Sequence, residues 1–553
     1  MRLSLNGVIA ALLAAGLGTT LAWPGTTSAS PAAPATARGE AAGIDFPISC
    51  PPAAQAEFTA ALTLWHHMTY PQAREAFAAL SMREPDCAMP HWGVAMTLFQ
   101  PLWPTRPSAE DLEIGRLAVA QARAAGATPR ESAFIDVAGA FFDEPGDYWE
   151  RIGRWAAAAA ALHAALPDDD EATTQHALAL LATMPPGDGA RAQADRAAAL
   201  LEGVLARRPG HPGALHYLVH ANDAPGRVGG STGVARRYEA IAPENPHALH
   251  MPTHLYTRLG DWAGSIRGNR RAAEAALEQA AGPAGEYVWD EFPHAIEYLV
   301  YAHLQRGEDR AAEAERARLV AVPNLEPSFK SAFHLASTQA RIALEQRDWP
   351  AAAAIRPRTP ESVDWDRFAW AEAIQVFARA RGVQESGAAA DDGQPAADRT
   401  EDVARALRRL DALAAKMAAA GETSFERNIR LLHGELDAWA KFHAGDPAGA
   451  EAAMRAAALL EATTPKHPVT PGPTLPAEEQ LGDLLLALDR PAEALAAYER
   501  ALAAYPNRYR ALVGAARAAS TAGDEGAAAR HRATVRAVAA DGDRAAELAR
   551  LGD

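Results

Sequence analysis

The stretch "PAEEQLGDLLLALDRPAEALAAYERALAAYPN", Pro476 to Asn507, decides the fold. Apolar residues recur every three or four positions on either side of Asp489-Arg490, so the stretch reads as two amphipathic helices joined by a tight turn. Gly482 and Ala494 are small where the two helices must approach closely. Leu485 and Tyr498 are large where hairpins meet, and Pro506 ends the second helix. The next unit, "RYRALVGAARAASTAGDEGAAARHRATVRAVAA", repeats the plan with Ala515-Ala516, Gly523-Asp524 and Ala528.

This order of small and large residues, with a period near 34, resembles the tetratricopeptide repeat (TPR). Weaker copies follow upstream: "GDPAGAEAAMRAAALLE" after Phe442, "RGEDRAAEAERARLVAVPN" closed by Pro323, "LGDWAGSIRGNRRAAEAALE", and "MTYPQAREAFAALSMREPD" with Ala73, Phe77 and Pro85 at repeat spacing. Between Trp103 and Pro186 the composition is helical without a legible register. No period-two strand pattern persists. The expected fold is all-α, a TPR-like α-solenoid of stacked helical hairpins, open or closed into a ring. The segments "DCAMPHWGVAMTLFQPLW", "HMPTHLYTRLGDW" and "PVTPGPTLPAEEQLGDLLLALDRPAEAL" further resemble a group of exported bacterial TPR proteins. That resemblance bears on the fold and implies no activity.

Composition agrees. Of 553 residues, 49% are hydrophobic and only 7% aromatic, a helix-rich mixture too long for one compact core. There are 53 basic and 69 acidic residues, a net charge of −16, so nucleic acid is not expected as a partner. At the N-terminus an apolar run of 16 residues, Val8 to Trp23, is shorter than the roughly 20 a membrane span needs. It reads as a secretory signal peptide cleaved after Ser30 or Ala37, which places the protein in the periplasm or outside the cell. The two cysteines, Cys50 and Cys87, are then expected to form a disulfide. The chain divides into a leader (1–37), a divergent repeat body (38–380), a Gly-, Ala- and Asp-rich linker (381–400), a helical hairpin segment (401–462), a strap with five prolines in fourteen residues (463–476) and two C-terminal repeats (477–545).

The histidines carry the chemistry. "PGALHYLVHA" from Pro212, "PHALHMPTHL" from Pro246 and "PHAIEYLVYA" from Pro293 superimpose without gaps. His216, His250 and Glu297 then share one column, His220, His254 and Tyr301 another, and His247 matches His294. A weaker unit anchored on Asp348-Trp349 adds His334. In a solenoid these columns stack into a polar ladder along one face: His216, His220, His247, His250, His254, His294, Glu297, Tyr301 and His334. Leu249, Tyr256 and Leu259 should point into the packing. Three readings of the ladder stand. It can line a concave groove that binds a peptide or protein partner, and then no cofactor is required. It can bind Zn or Cu through His216, His220, His250 and His254, two i, i+4 pairs from adjacent repeats. Or it can be packing. Pro252 bears on the second: if the helix starts near Met251, His250 leaves the common face.

No catalytic residue is assigned. H-E-x-x-H is absent, because Tyr217 and Met251 follow the first histidines, and no nucleophile elbow or phosphate loop is present. Two smaller features were weighed. "TLWHHMTY" and "PHWGVAMTLFQPLWP" place His66, His67, His91, Trp92, Phe99 and Trp103 in an aromatic cleft or in packing. Arg508, Arg510 and Arg517 form either a carboxylate clamp or a solvated face. An exported scaffold with a histidine-rich groove, rather than an enzyme, is the expected function; a metal-binding protein is the alternative.

Overall fold

The computed structural model describes residues 43–552 apart from 104–105, 186–187, 225, 230, 283–284 and 390–395. The expected signal peptide lies outside the described residues. Helices run in antiparallel succession: α1 (Pro52–His66), α2 (Tyr70–Arg83), α3 (Ala88–Met96), α4 (Ala109–Ala124), α5 (Pro129–Phe142), α6 (Tyr148–Ala165), α7 (Asp170–Ala182), α8 (Asp188–Arg207), α9 (Pro212–Asn222), α10 (Thr232–Ile241), α11 (Pro246–Leu259), α12 (Trp262–Leu277) and α13 (Glu291–Gln305). They continue with α14 (Asp309–Val320), α15 (Phe329–Gln346), α16 (Trp349–Ala353), α17 (Ala369–Ala389), α18 (Ala396–Ala419), α19 (Thr423–His443), α20 (Pro447–Ala462), α21 (Ala477–Ala487), α22 (Pro491–Ala504), α23 (Tyr509–Ala522), α24 (Glu525–Val538) and α25 (Ala545–Ala549). A two-residue ribbon, Ala280–Ala281 against Tyr287–Val288, accompanies the α12–α13 connection. The fold is the expected all-α solenoid of hairpins. Among the described residues no helix is long and apolar enough to cross a membrane.

The small-residue rule operates where the repeat is clearest. Tyr498 is fully buried and donates from its hydroxyl to Asp483 at 2.7 Å. A Cβ on Gly482 would meet its ring at 2.7 Å and one on Gly514 at 2.3 Å, so the two glycines create the slot the ring fills. Cys50 and Cys87 are joined in a disulfide, as expected, with their Cα atoms 5.5 Å apart. Of the expected linker 381–400, helix α17 takes in the residues to Ala389 and α18 those from Ala396, and 390–395 lie outside the described residues.

The superhelix closes on itself. Arg106 pairs with Glu422 through two bonds of 3.1 and 2.9 Å, and the Trp262 indole N–H donates to the Asn507 carbonyl at 3.0 Å. The proline strap runs through the interior. The Arg341 guanidinium donates to the carbonyls of Pro473 (2.6 Å) and Gly472 (3.0 Å) and to the Thr470 hydroxyl (3.1 Å), while the Tyr298 hydroxyl donates to the Thr470 carbonyl at 3.2 Å. Arg508 fastens the last repeats to the body. It is fully buried and bonds Glu345 (2.7 Å), Glu479 (2.9 and 3.1 Å) and the Tyr301 hydroxyl (3.1 Å). Arg510 is likewise buried, on Glu547 and the Glu345 carbonyl, whereas Arg517 is exposed. The three therefore form no carboxylate clamp.

Arg508→Ala leaves Glu345 and Glu479 buried without their cation. Losing one side of such a pair costs about 3–5 kcal/mol. Urea unfolding should show that loss, whereas Arg517→Ala should leave the midpoint unchanged.

Candidate metal centre

Helix α11 is the spine of the site. Its start is fixed by Asn245, whose side-chain oxygen accepts the Ala248 N–H at 3.0 Å, and by Pro246 in the first turn. The helix continues through Pro252 to a left-handed Gly260, so the proline neither starts nor ends it and His250 keeps its face. Twelve of its fourteen residues are buried, and such a helix has neighbours on every side. Leu249 is packed as expected, but Leu259 is exposed at the helix end, where the chain turns. Helices α9 and α13 flank α11, and α15 packs beyond α13, so the four aligned first helices stand side by side.

The ladder is interior. His216, His247, His250, His254, His294 and His334 are each 0–1% exposed, and only His220 is partly exposed. The six rings on α9, α11 and α13 divide into two trios, His216–His220–His247 and His250–His254–His294. In each trio the candidate ligand atoms lie within 4.8 Å of one another. The four-histidine set expected from the spacing is thereby split, each i, i+4 pair taking its third member from the next helix along.

Which nitrogen of each ring faces inward follows from its other partner. His216 Nδ1 lies 2.6 Å from the His66 carbonyl, which can only accept, so Nδ1 carries the hydrogen and Nε2 the lone pair. His247 Nδ1 donates to the Glu291 carboxylate at 3.0 Å and His254 Nδ1 to the Asp223 carboxylate at 2.7 Å. His250 Nδ1 donates to the Asn269 side-chain oxygen at 2.7 Å. The orientation of that amide is fixed by its nitrogen donating to the Ser265 carbonyl at 2.8 Å. Glu297 accepts from His334 Nδ1, and His334 Nε2 accepts from His294 Nδ1 at 3.0 Å. This leaves His294 Nε2 buried with no hydrogen-bond partner among the described residues.

The fixed lone pairs therefore point at each other. His216 Nε2 is 3.1 Å from His247 Nε2, and His250 Nε2 is 2.9 Å from His254 Nε2. His220 Nε2 completes the first trio, 3.2 Å from His216 Nε2. Facing lone pairs repel unless a cation lies between them. A metal ion about 2.0–2.1 Å from each nitrogen at a tetrahedral angle sets ligand nitrogens roughly 3.3 Å apart, close to these values. Burial, foremost, holds the His216, His250 and His294 imidazoles well below their usual range and His254 down to about 4, so these four rings are neutral. The outer carboxylates stay ionised. Burial pushes Asp223 up, but Lys466 at 2.6 Å, Arg258 at 2.8 Å and His254 outweigh it and hold it well below the carboxylate range. Lys330 and His247 do the same for Glu291.

A third cluster, His66–Glu171–His211, is of another kind. His211 Nδ1 accepts the Ala214 N–H at 3.2 Å as the cap of α9, so its Nε2–H donates to Glu171 at 3.0 Å. His66 Nε2 donates to the other Glu171 oxygen at 3.0 Å, while its Nδ1 accepts from the Tyr217 hydroxyl at 3.2 Å. Every nitrogen is satisfied by protein, which makes this cluster structural. Its place depends on Gly213, where a Cβ would meet the His66 ring at 2.2 Å.

The remaining expected positions fall outside the ligand sets. Glu297 and His334 stand behind His294, and Glu297 also receives Ser337 at 2.6 Å and Arg341 at 3.2 Å. Tyr301 packs on Trp262 and Arg508. Trp92 and Phe99 are packing residues, His67 bonds the Tyr238 hydroxyl at 2.8 Å and His91 the Pro85 carbonyl at 3.1 Å. Trp103 is the exception in that group, edge-on to His247 and His294 with centroids 5.4 and 6.0 Å away. The sequence reading missed Asp223, Asn269, Glu291, Tyr298, Lys330 and Lys466. An offset does mark one of them: Glu291 stands three residues before His294, in a short acidic run, "WDEFPHAIE".

No family model and no curated protein matches the chain. Among solved structures it is similar to a human IFIT1 dimer with PPP-AAAA (15% identity, 78% of this chain and 88% of that one, TM-score 0.35). It is also similar to a monomeric IFIT1 mutant with Gppp-AAAA (12%, 89% and 96%, TM-score 0.35) and to the APC/C hetero-tetramer Cut9-Hcn1 (11%, 90% and 90%, TM-score 0.34). At these values the likeness assigns neither partner nor activity.

Glu171→Ala separates the structural cluster from the trios. It strands two buried imidazole N–H groups, each costing about 1–3 kcal/mol. The melting temperature should fall while the amount of metal taken up by the protein stays the same.

Proposed function

We propose that this protein is an exported, TPR-like scaffold whose interior binds transition-metal ions, Zn or Cu, at His216–His220–His247 and at His250–His254–His294. One observation carries the reading: five rings spend Nδ1–H on a fixed acceptor, and their Nε2 lone pairs converge in two clusters, the first completed by the His220 ring. A ligating histidine whose other nitrogen is held by a carboxylate or carbonyl is the usual arrangement behind a bound metal. Borderline ions that favour imidazole fit the donor set, and three nitrogens leave a coordination position for an exogenous ligand. Export is supported by the apolar leader and the disulfide. Binding of a peptide along the ladder is less favoured, because the protein's own strap, Thr470 to Thr474, already lies against Tyr298 and Arg341 on that face.

The test is metal content by mass spectrometry, on untagged protein purified without chelator. Two ions per chain are expected. His294→Ala should lose one and keep the other, and the His216→Ala/His247→Ala double variant should do the converse. Free metal at a hundredfold above Kd should stabilise the fold by about 2.7 kcal/mol per site. A metal-free protein whose melting temperature ignores added Zn²⁺ and Cu²⁺ would sink the reading.

A further inference from the structure

We infer that the two trios form one paired centre, in which two ions sit close enough to share a single small oxygen ligand from solvent. This rests on the metal reading above and adds the relation between the ions. Helix α11 serves both trios, giving His247 to the first and His250 and His254 to the second. Three residues along a helix advance about 4.5 Å. The His247 and His250 rings are 6.2 Å apart between centroids, and the His220 and His254 rings 5.9 Å. Within the second trio the spacing already reaches 6.4 Å, between His254 and His294. The trios are thus no farther from each other than members of one trio can be. Two-metal sites hold their ions about 3.5–4 Å apart, a separation this three-residue offset approaches.

The surroundings decide what can bridge. Trp103 makes T-shaped contacts with His247 and His294, one ring from each trio, and an indole offers no carboxylate or imidazole donor to a metal there. Tyr298 covers the second trio, with centroids 4.7, 5.2 and 5.4 Å from His250, His254 and His294, and its hydroxyl is turned to the Thr470 carbonyl. The adjacent carboxylates, Glu291 and Asp223, are engaged by imidazole N–H groups and by Lys330, Lys466 and Arg258. Among the described residues no carboxylate is placed to bridge. His220, the only partly exposed ring of the six, marks the side by which water or another small oxygen donor reaches the ions.

Cu²⁺ on the full chain is the probe, read by electron paramagnetic resonance. With two equivalents bound, the paired centre should show an integrated spin intensity well below that of two isolated ions, together with a half-field transition. His294→Ala should bind one equivalent and give a mononuclear spectrum of full intensity. Should that variant not fold, the wild-type spectrum decides alone. Two equivalents bound at full intensity without a half-field transition would overturn the pairing and leave the metal reading standing. Binding of fewer than two would overturn the metal reading and the pairing with it.

Discussion

A buried imidazole has two nitrogens to satisfy, and the interior of this solenoid is arranged around that constraint. Each anchored ring receives one acceptor, and the acceptor's identity fixes the direction of the free lone pair. The acceptors come from many places: a backbone carbonyl at the end of α1, an amide on α12, carboxylates just beyond α9 and at the start of α13, and a histidine relay from α15. None of these contacts tolerates much displacement, because a misplaced acceptor leaves either a stranded N–H or an unpaired buried charge. The packing of these helices is thereby tied to the orientation of five rings.

Outside Trp103 to Pro186 the repeat pattern was legible, and so was the column of histidines. Gly482, Tyr498 and the Pro246 alignment carry period and register in local spacing, which a linear reading can recover. The partition of the ladder was not legible. His216 and His220 look like a complete pair, and so do His250 and His254. Their third members arrive from neighbouring helices through side-chain direction, which sequence spacing does not encode. The anchors were less visible still. Asp223 sits in a turn and Asn269 in the second helix of a hairpin, where neither belongs to the repeated column. Pro252 argued against a continuous α11, yet burial on all sides holds that helix through the missing amide bond.

The strap shows how a repeat protein can use its own chain as the occupant of its inner face. Five prolines keep 463–476 out of helix and expose its carbonyls in sequence, and Arg341 and Tyr298 read those carbonyls as they would read a bound peptide. Lys466, at the start of the strap, reaches Asp223 and so touches the outer shell of the second trio. Arg508 then seals the exit by joining the last repeats to Glu345 and the Tyr301 hydroxyl.

The strap also has a consequence for the order of folding. Tyr298 and Thr470 are 172 residues apart in the chain, and Lys466 bonds Asp223 across a still longer separation. Hairpins form from local contacts and are fast, whereas contacts of such long separation come late because the loop must close first. The histidine-bearing helices can therefore stack before the segment that covers them has arrived. Until then the inner face is open, and on the proposed metal reading an ion would enter by a route that the finished fold no longer offers. Loading during folding and exchange after it would then proceed at very different rates, set by chain topology rather than by affinity.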